Sequence, residues 1–236
     1  MPVYIGCAGW SLPRAQWPRF PAEGSHLQRY AQVFNSVEIN TSFYRPHQPG
    51  TYARWAASVP AGFRFSVKLP KRITHEARLR DCAGLLDDFF AQASALGDRL
   101  GCLLVQLPPS LVFDEGVARD FFSALRQRYP GPVALEPRHA SWREGHDAML
   151  AFEIAQVAAD PSPFREGEVP GGWPEVVYVR LHGSPRIYHS AYPEAYLEHL
   201  AQRLRRLCAT ATVWCLFDNT ASGAAVGDAL TLKALA

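Results

Sequence analysis

The chain lacks long hydrophobic runs and any recognisable targeting segment. No apolar stretch approaches the ~18 residues that a membrane-spanning helix needs. The amino terminus, Met1-Pro2-Val3-Tyr4-Ile5, leads directly into a predicted strand, without the basic region and apolar core of a secretory signal peptide. We therefore expect no membrane partner and a cytoplasmic location.

Cysteine is sparse, and its pattern suggests no pairing. The five cysteines (Cys7, Cys82, Cys102, Cys208 and Cys215) are odd in number and widely spaced, and no C-x-x-C pair occurs. This spacing argues against structural zinc and against dithiol redox chemistry. Buried free thiols in a reducing cytoplasm are the prediction.

The short signatures of common enzymes are also missing. The chain has no G-x-S-x-G elbow, no H-E-x-x-H helix, no P-loop and no G-x-G-x-x-G fingerprint. A formal net charge of +2 is too small to favour nucleic acid or a membrane surface on electrostatics alone. The basic run Arg203-Leu204-Arg205-Arg206 falls on an amphipathic segment and is predicted to be a solvated outer face. Nucleic acid is thus an unfavoured partner that the sequence does not exclude.

What the chain does have is a regular alternation of short apolar runs and amphipathic segments. With 236 residues, 48% hydrophobic and 19% charged, it is long enough for a large core and ordinary for a globular protein. Eight alternations predict a parallel sheet closed into a TIM-type (β/α)8 barrel, a single domain over residues 1–236. An open doubly wound sheet is the alternative. Strands are predicted at 3–10, 37–43, 64–69, 101–107, 133–138, 154–159, 176–182 and 212–217, and helices at 26–35, 51–59, 81–96, 115–129, 146–152, 193–207 and 223–235.

The unit after the sixth predicted strand breaks the alternation. Pro161-Ser162-Pro163 and Pro170-Gly171-Gly172 flank a segment without helical periodicity. We therefore expect an irregular or missing helix there, with a long loop over residues 161–175.

Seven short blocks that mix glycine, aromatic and charged residues are spread in order along nearly the whole chain. They are Gly6-Cys7-Ala8-Gly9-Trp10; Val37-Glu38-Ile39-Asn40-Thr41-Ser42-Phe43-Tyr44; Phe65-Ser66-Val67-Lys68 with Thr74-His75; Gln106-Leu107-Pro108-Pro109; Glu136-Pro137-Arg138-His139 with Ser141-Trp142; Tyr178-Val179-Arg180-Leu181-His182-Gly183; and Phe217-Asp218-Asn219-Thr220 with Gly223-Ala224-Ala225.

These blocks resemble the signature blocks of the YecE-like family, domain of unknown function 72 (DUF72). The resemblance implies a TIM-type β/α barrel in a cytoplasmic bacterial or archaeal protein. It implies no reaction, because the family is uncharacterised. The family often has Gly-Thr-Ser-Gly-Trp where this chain has Gly6-Cys7-Ala8-Gly9-Trp10, so any hydroxyl role at those two positions is absent here.

Polar side chains at predicted strand ends form the candidate site. Arg180 and His182 stand two residues apart on the seventh strand, so both point to one face. Burying Arg180 against a packed helix layer would be costly, so that face should look into the barrel's mouth, where catalytic groups of such barrels lie. The same two-residue period predicts the catalytic candidates Glu38, Glu136, His182 and Asp218, places Asp160 in the same ring, and adds the substrate-binding candidates Asn40, Lys68, Gln106, Arg138 and Arg180. Three aromatic residues near strand ends, Trp10, Tyr44 and Tyr188, are predicted as walls of the mouth, and Asn219, which follows Asp218, is a further substrate-binding candidate.

A second feature is the segment between the eighth strand and the last helix. Thr220 or Ser222 could cap that helix, and Gly223 would allow close backbone approach. Together with Arg180, such a helix start could hold a phosphate or a carboxylate. The alternative interpretation is a capped helix that merely packs tightly.

The favoured functional interpretation is a barrel enzyme that uses acid–base chemistry on a small anionic (phosphorylated or carboxylated) or polyhydroxylated substrate. Arg180, Arg138 and Lys68 would neutralise substrate charge, while Glu136, Glu38 or His182 would move protons and Asp218 would orient a cation or a hydroxyl. Such an enzyme would be a lyase, an isomerase or a hydrolase without an organic cofactor.

Three alternatives stay open. The same cationic mouth suits a non-catalytic protein that binds a nucleotide or nucleic acid. A divalent-metal-dependent barrel, isomerase-like or phosphoesterase-like, could use Glu38, Glu136, Asp160, His182 and Asp218, although three nearby cations would compete for the carboxylates. Finally, the ring could be a buried ion network that only holds strands in register, with His182 as a hydrogen-bonded core residue.

Overall fold

Eight parallel strands form a nearly closed barrel in the computed structural model, which describes residues 1–236. The strands lie side by side in the order β1-β8-β7-β6-β5-β4-β3-β2. The predicted TIM-type barrel is confirmed, and the doubly wound alternative is wrong. The bounds are β1 Val3–Cys7, β2 Ser36–Ile39, β3 Arg64–Lys68, β4 Leu100–Gln106, β5 Val133–Glu136, β6 Ile154–Asp160, β7 Val176–Leu181 and β8 Thr212–Phe217.

Seven α-helices form the outer layer, and each corresponds to a predicted one. Ser25 caps the first helix as expected, because its Oγ accepts from the Gln28 amide while Gln28 bonds back to the Ser25 amide. None of the helices is both long enough and apolar enough to cross a membrane. The bounds are α1 His26–Ala31, α2 Pro49–Ala57, α3 Ala83–Ala93, α4 Glu115–Arg126, α5 His146–Ala151, α6 Glu194–Leu207 and α7 Ala224–Leu235.

The segment between β6 and β7 contains no α-helix, as predicted. It forms a short 3-10 turn at Arg165–Glu168 and a two-residue strand, Gly171–Gly172, that pairs antiparallel with β6. Gly172 has φ of 63°, and a Cβ there would stand 2.3 Å from the Ile154 carbonyl oxygen. This close approach needs glycine, and it turns the chain back toward β7.

The barrel closes between β1 and β2 along what we call the β1–β2 seam. Backbone pairing there is limited to one bridge, in which the Gly9 amide donates to the Glu38 carbonyl oxygen at 2.9 Å. Side chains complete it: Asn35 bonds the backbone of β1 at 2.7 and 2.9 Å, and the Tyr30 hydroxyl links the Cys7 amide to the Ser36 carbonyl oxygen at 2.8 and 3.0 Å. Gly6 leaves room for this contact, because a Cβ there would stand 2.1 Å from the Ser36 oxygen.

Two separate hydrophobic clusters stabilise the barrel. The larger one, of 55 buried residues, lies between the strands and the helices, and the smaller one, of 10, fills the barrel's lower interior. The interior cluster includes Tyr178, Trp214 and, on β6, Ala155, Val157 and Ala159. The barrel interior is therefore apolar near the amino ends of the strands. Nearer the carboxyl ends, the side chains that point into the barrel are polar.

Candidate active site

Arg180, on β7, is the centre of a buried ionic network. Its Nε and Nη2 donate to the two carboxylate oxygens of Glu38 at 2.9 and 2.8 Å. Its Nη1 donates to Glu136 at 3.1 Å and to Gln106 at 3.4 Å, and Nη2 lies 3.0 Å from Asp218. These contacts use all five N–H donors of the guanidinium. Arg180 is 1% exposed and has no donor left for a substrate, so its predicted substrate-binding role does not fit.

His182, two residues further on, lies between two carboxylates. Its Nδ1 is 3.0 Å from Asp218 Oδ2, and its Nε2 is 3.0 Å from Glu136 Oε1. Arg138 Nη2 approaches the same Glu136 oxygen at 2.6 Å and His182 Nε2 at 2.9 Å. Both ring nitrogens are occupied, and the ring is fully buried. In this arrangement His182 positions and connects the carboxylates and does not itself reach a substrate.

Two carboxylates of this network, Glu136 and Asp218, are held in their ionised form. Burial alone would raise the pKa of Glu136, but the charges of Arg180, His182 and Arg138 outweigh it, and the pKa lies well below its ordinary value. Burial is likewise outweighed at Asp218, whose pKa is lowered by Arg180 and His182. Near neutral pH these groups accept hydrogen bonds, and they do not release protons.

A layer of neutral side chains supports Glu38 from below. The Tyr178 hydroxyl donates to Glu38 Oε2 at 3.2 Å and lies 2.8 Å from the Ser66 hydroxyl. The Tyr178 ring stacks on Trp214, with centroids 6.2 Å apart. Glu38 is 0% exposed, and both its oxygens are engaged. The predicted proton-transfer role of Glu38 therefore does not fit, and its role is to hold Arg180.

Lys68, at the end of β3, differs from the other charged residues. Its Nζ makes no hydrogen bond or ion pair with the protein and lies 4.2 Å from the centroid of the Phe43 ring. The residue is only 5% exposed. Burial and the charge of Arg180 lower the pKa of Lys68 from 10.5 to about 8, although three carboxylates partly offset them. Lys68 is thus a buried amine whose nitrogen has no hydrogen-bond or ion-pair partner in the protein.

The loop after β2 holds Phe43 over Lys68. The Ser42 hydroxyl lies 2.6 Å from the Lys68 carbonyl oxygen and fixes the turn Thr41–Phe43 against β3. On the other side, the His75 ring meets Phe43 edge-on at 4.9 Å, and burial together with Lys68 lowers the pKa of His75. His75 lies at the site, although the sequence did not single it out as a candidate. The Thr74-His75 pair within a family block was the available signal, but a π-helical turn at Arg72–Glu76 sets its direction.

Three other predicted substrate-binding residues also lie at the mouth. Gln106 contacts Arg180, as described above. Asn40 follows Glu38 by two residues, and its buried Oδ1 has no hydrogen-bond partner. Tyr188, with φ of 68°, places its ring edge-on to His182 at 5.8 Å and is 44% exposed. Tyr188 therefore combines contact with the network and an exposed ring, and Asn40 has an unpartnered buried oxygen just after β2.

Trp10 and Tyr44 are not brought into the network. Trp10 packs edge-to-face on Trp55 of α2 at 5.0 Å. Tyr44 is 68% exposed and lines a cavity of about 270 Å³ between the loop after β2 and α3. Their predicted place beside the charged residues is not supported by any contact with them.

Two further expectations about the mouth need correction. Asp160 has the opposite parity to the interior residues of β6, and it bonds the hydroxyls of Tyr196 and Tyr192 at 2.7 and 3.3 Å. Asn219 is fully buried, and its amide donates to the Ser190 carbonyl oxygen at 2.8 Å and to Asp228 at 2.7 Å. Asp160 therefore does not belong to the ring, and the Asn219 side-chain amide tethers two other segments, although its buried Oδ1 has no hydrogen-bond partner.

The start of α7 is not built as the predicted anion site. Its N-cap is Gly223, with φ of 81° and no side-chain cap. The Ser222 hydroxyl donates instead to the His189 carbonyl oxygen. The interpretation as a tightly packed helix start fits better.

The composition of the site disfavours a divalent metal. No group of three or more His, Cys, Asp and Glu side chains is arranged to hold a metal ion. The physical reason is that Arg180 stands between Glu38, Glu136 and Asp218 and takes the oxygens that a cation would use. The cysteines are free and lie outside the network, and only Cys208 is not buried.

Fold and site together define the class: a TIM-type β/α barrel whose mouth holds an arginine-centred ionic network and one unpaired buried lysine. The family model described as protein of unknown function DUF72 matches residues 4–236. The chain belongs to the DUF72 family, and the predicted YecE-like resemblance is confirmed.

Individual relatives agree with this assignment. The chain is 39% identical to UPF0759 protein YecE of Escherichia coli K12 over 106 residues, 45% of this chain and 38% of that protein. It is 26% identical to UPF0759 protein YunF of Bacillus subtilis over 180 residues, 71% of this chain and 64% of that protein. The matches thus span less than two thirds of either curated relative.

Solved structures of the family share the fold. A DUF72 family protein from Thermotoga maritima has a TM-score of 0.81 at 25% identity, covering 100% of this chain and 99% of that one. Another, from Enterococcus faecalis, has a TM-score of 0.82 at 20% identity, covering 99% and 94%. The second likeness concerns the fold alone.

Proposed function

We propose that this protein is a barrel enzyme that binds a small anionic substrate at its mouth and transfers a proton to or from it through Lys68. The observation that carries the proposal is the state of Lys68, which is 5% exposed and has no protein partner for Nζ. A structural ion network leaves no reason for an unpaired buried amine, because burying one is costly. Perturbed groups of this kind cluster at functional sites.

Arg138 is the proposed anchor for the anionic group. Its Nη2 is taken by Glu136 and His182, but Nη1 makes no hydrogen bond and the buried Nε has no partner. The side chain is 12% exposed, more than any other charged side chain of the network. A guanidinium with free donors suits a carboxylate or a phosphate. Asn40 and Gln106 would serve hydroxyl groups of a substrate.

Lys68 is the proposed proton carrier, which revises the sequence-based choice of carboxylates and His182. An amine with a pKa of about 8 exchanges protons readily near neutral pH. The reaction class that follows is a lyase, an isomerase or a hydrolase, and the proposed chemistry uses no organic cofactor.

Binding is tested by thermal stabilisation, because a ligand of the native state raises Tm. The probes are inorganic phosphate, glycerol phosphate, pyruvate, AMP, a short oligonucleotide and an uncharged sugar. We expect the small anions to raise Tm of the wild type by a few degrees. Arg138→Met should abolish the shift, Arg138→Lys should retain part of it, and Arg143→Met, at an exposed arginine nearby, should leave it unchanged. Equal shifts in Arg138→Met would contradict the proposal.

Proton transfer is tested by following each stabilising anion for chemical conversion by NMR. Lys68→Met should abolish conversion, whereas Lys71→Met, at a lysine whose side chain is 48% exposed, should not. Stabilisation by oligonucleotide or AMP alone, with no conversion of any anion, would favour the non-catalytic nucleotide or nucleic-acid binding alternative.

A further inference from the structure

We propose that Lys68 is a nucleophile that forms an imine with its substrate, so that the substrate class is small anions bearing an aldehyde or ketone group. α-Keto acids and sugar phosphates in their open-chain form are members of that class. The inference rests on the proposed function, because Arg138 would hold the anionic group while the carbonyl carbon meets Lys68.

The first argument is the choice of lysine at this position. Only three of the 24 basic residues (Lys and Arg) are lysines: Lys68, Lys71 and Lys233. Lys71 and Lys233 are exposed, so the one buried lysine is the one at the mouth. Arginine would supply the same charge and more hydrogen bonds, but it cannot be deprotonated and cannot act as an amine nucleophile. A chain that otherwise uses arginine thus keeps lysine where a neutral amine would be reactive.

The second argument is the environment of Nζ. A nucleophilic lysine needs a dry site and a nearby cation that favours the neutral amine. Here the Phe43 ring covers Nζ at 4.2 Å, and Arg180 is the cation. Three carboxylates, Glu38, Glu136 and Asp218, raise the pKa of Lys68 in opposition to Arg180. Lys68 in turn lowers the pKa of His75. The lowered pKa of Lys68, about 8, agrees with this geometry.

The proposed step balances without a co-reactant. The ammonium of Lys68 gives one proton to water, which leaves the neutral amine. The nitrogen lone pair then forms a C–N bond to the carbonyl carbon, and the carbonyl oxygen takes up one proton from nitrogen and one from water, so that the proton released first is returned. Loss of water breaks the C–O bond and leaves a protonated imine. The net charge is unchanged, because the positive charge of the Lys68 ammonium is replaced by that of the protonated imine.

The test is reductive trapping on the 236-residue chain. Wild type is incubated separately with pyruvate, dihydroxyacetone phosphate and glyceraldehyde 3-phosphate in the presence of sodium cyanoborohydride, which converts an imine into a stable secondary amine. Intact-mass measurement and peptide mapping then locate the adduct. We expect one adduct per chain with at least one probe, on Lys68 and not on Lys71, Lys233 or the amino terminus.

Matched variants separate the outcomes. Lys71→Arg should form the same adduct as wild type, and Lys68→Arg should form none while keeping the thermal shift produced by phosphate. No adduct with any of the three probes, or labelling spread equally over all lysines, would overturn the inference. If the Arg138-dependent thermal shift is present but trapping fails, the imine inference is wrong and the proposed anion site stands. If the shift is also absent, the proposed function fails as well.

Discussion

Arg180 and Lys68 are both buried cations at the mouth of one barrel, and they differ in nearly every contact. Arg180 has all five donors engaged by residues of β2, β4, β5 and the loop after β8. Lys68 engages none of its donors and touches an aromatic face instead. The surrounding carboxylates raise the pKa of Arg180 well above its ordinary value despite burial, whereas burial and Arg180 lower that of Lys68. Similar burial therefore produces one cation with every donor engaged and one cation with no hydrogen-bond partner in the protein.

The difference between Arg180 and Lys68 distinguishes a buried charge that stabilises the fold from one that does not. A buried cation whose donors are all satisfied is compatible with a stable fold, and its removal leaves uncompensated carboxylates. A buried cation without partners weakens the native state and is retained for some other reason. Substitutions of the two residues should therefore change stability in opposite directions.

The largest effect is expected for Arg180→Met. Glu38, Glu136 and Asp218 would face one another without their shared partner, and removal of one side of a buried pair costs about 3–5 kcal/mol. Urea denaturation at pH 7 measures this loss in the free energy of unfolding. Lower pH should reduce the loss, because protonated carboxyl groups no longer repel. Arg119→Met, which removes an exposed helical ion pair of 2.9 Å, is the control and should cost a few tenths of a kcal/mol. If Arg180→Met lost as little stability as Arg119→Met, Arg180 would not be the residue that stabilises the network.

Lys68→Met should have the opposite sign. The difference between a pKa of 10.5 in the unfolded chain and about 8 in the fold corresponds to roughly 3 kcal/mol of destabilisation by the charged amine. This cost is fully present below pH 8, where both states are protonated, and disappears as pH rises to 10.5, because there the unfolded state binds more protons. Lys68→Met should thus exceed wild type in stability at pH 7 by up to this amount and match it above pH 10.5.

Urea denaturation of Lys68→Met and wild type across this pH range measures the difference. Lys71→Met serves as the exposed control and should follow wild type throughout. Destabilisation by Lys68→Met at pH 7 would show that Lys68 supports the network after all.

The smallest effect is expected below the network. Tyr178→Phe removes the hydroxyl that bonds Glu38 and Ser66 but keeps the ring on Trp214, so we expect a loss of about 1–2 kcal/mol. Thermal or urea unfolding would measure it, with the exposed Tyr44→Phe as control. A loss no greater than that of the control would mean that Arg180 alone fixes Glu38.

The fold was largely predictable, because strand and helix periodicity is a local property. All eight strands and seven helices follow from the alternation of apolar runs, and Pro161 and Pro170 marked the segment without a helix. Bounds were less accurate. The first helix ends at Ala31, not near residue 35, since the amides of Val33 and Phe34 both bond the Tyr30 carbonyl oxygen in a closing turn.

The site was predictable only in part, because its contacts join distant parts of the chain. The two-residue period correctly placed Arg180 and His182 toward the mouth. The placement of Asp160 in the same ring was wrong, because the interior residues of β6 are Ala155, Val157 and Ala159 and Asp160 has the opposite parity. The division of roles between Arg180 and Lys68 depends on Glu38, 142 residues from Arg180 in sequence. No spacing rule indicates which of two buried cations that carboxylate will bind. The predicted cytoplasmic location remains a prediction.

Glu38 has a second structural role, in the backbone pairing of the β1–β2 seam. Its carbonyl oxygen receives the Gly9 amide in the one backbone bridge of the seam, and its side chain receives Arg180 from the opposite wall. The strand junction with the least backbone pairing and a buried two-bond ion pair with Arg180 therefore meet in one residue. Transient opening of that junction and disturbance of the charged cluster are in this way thermodynamically coupled, so amide hydrogen exchange at Gly9 reports on the state of the mouth.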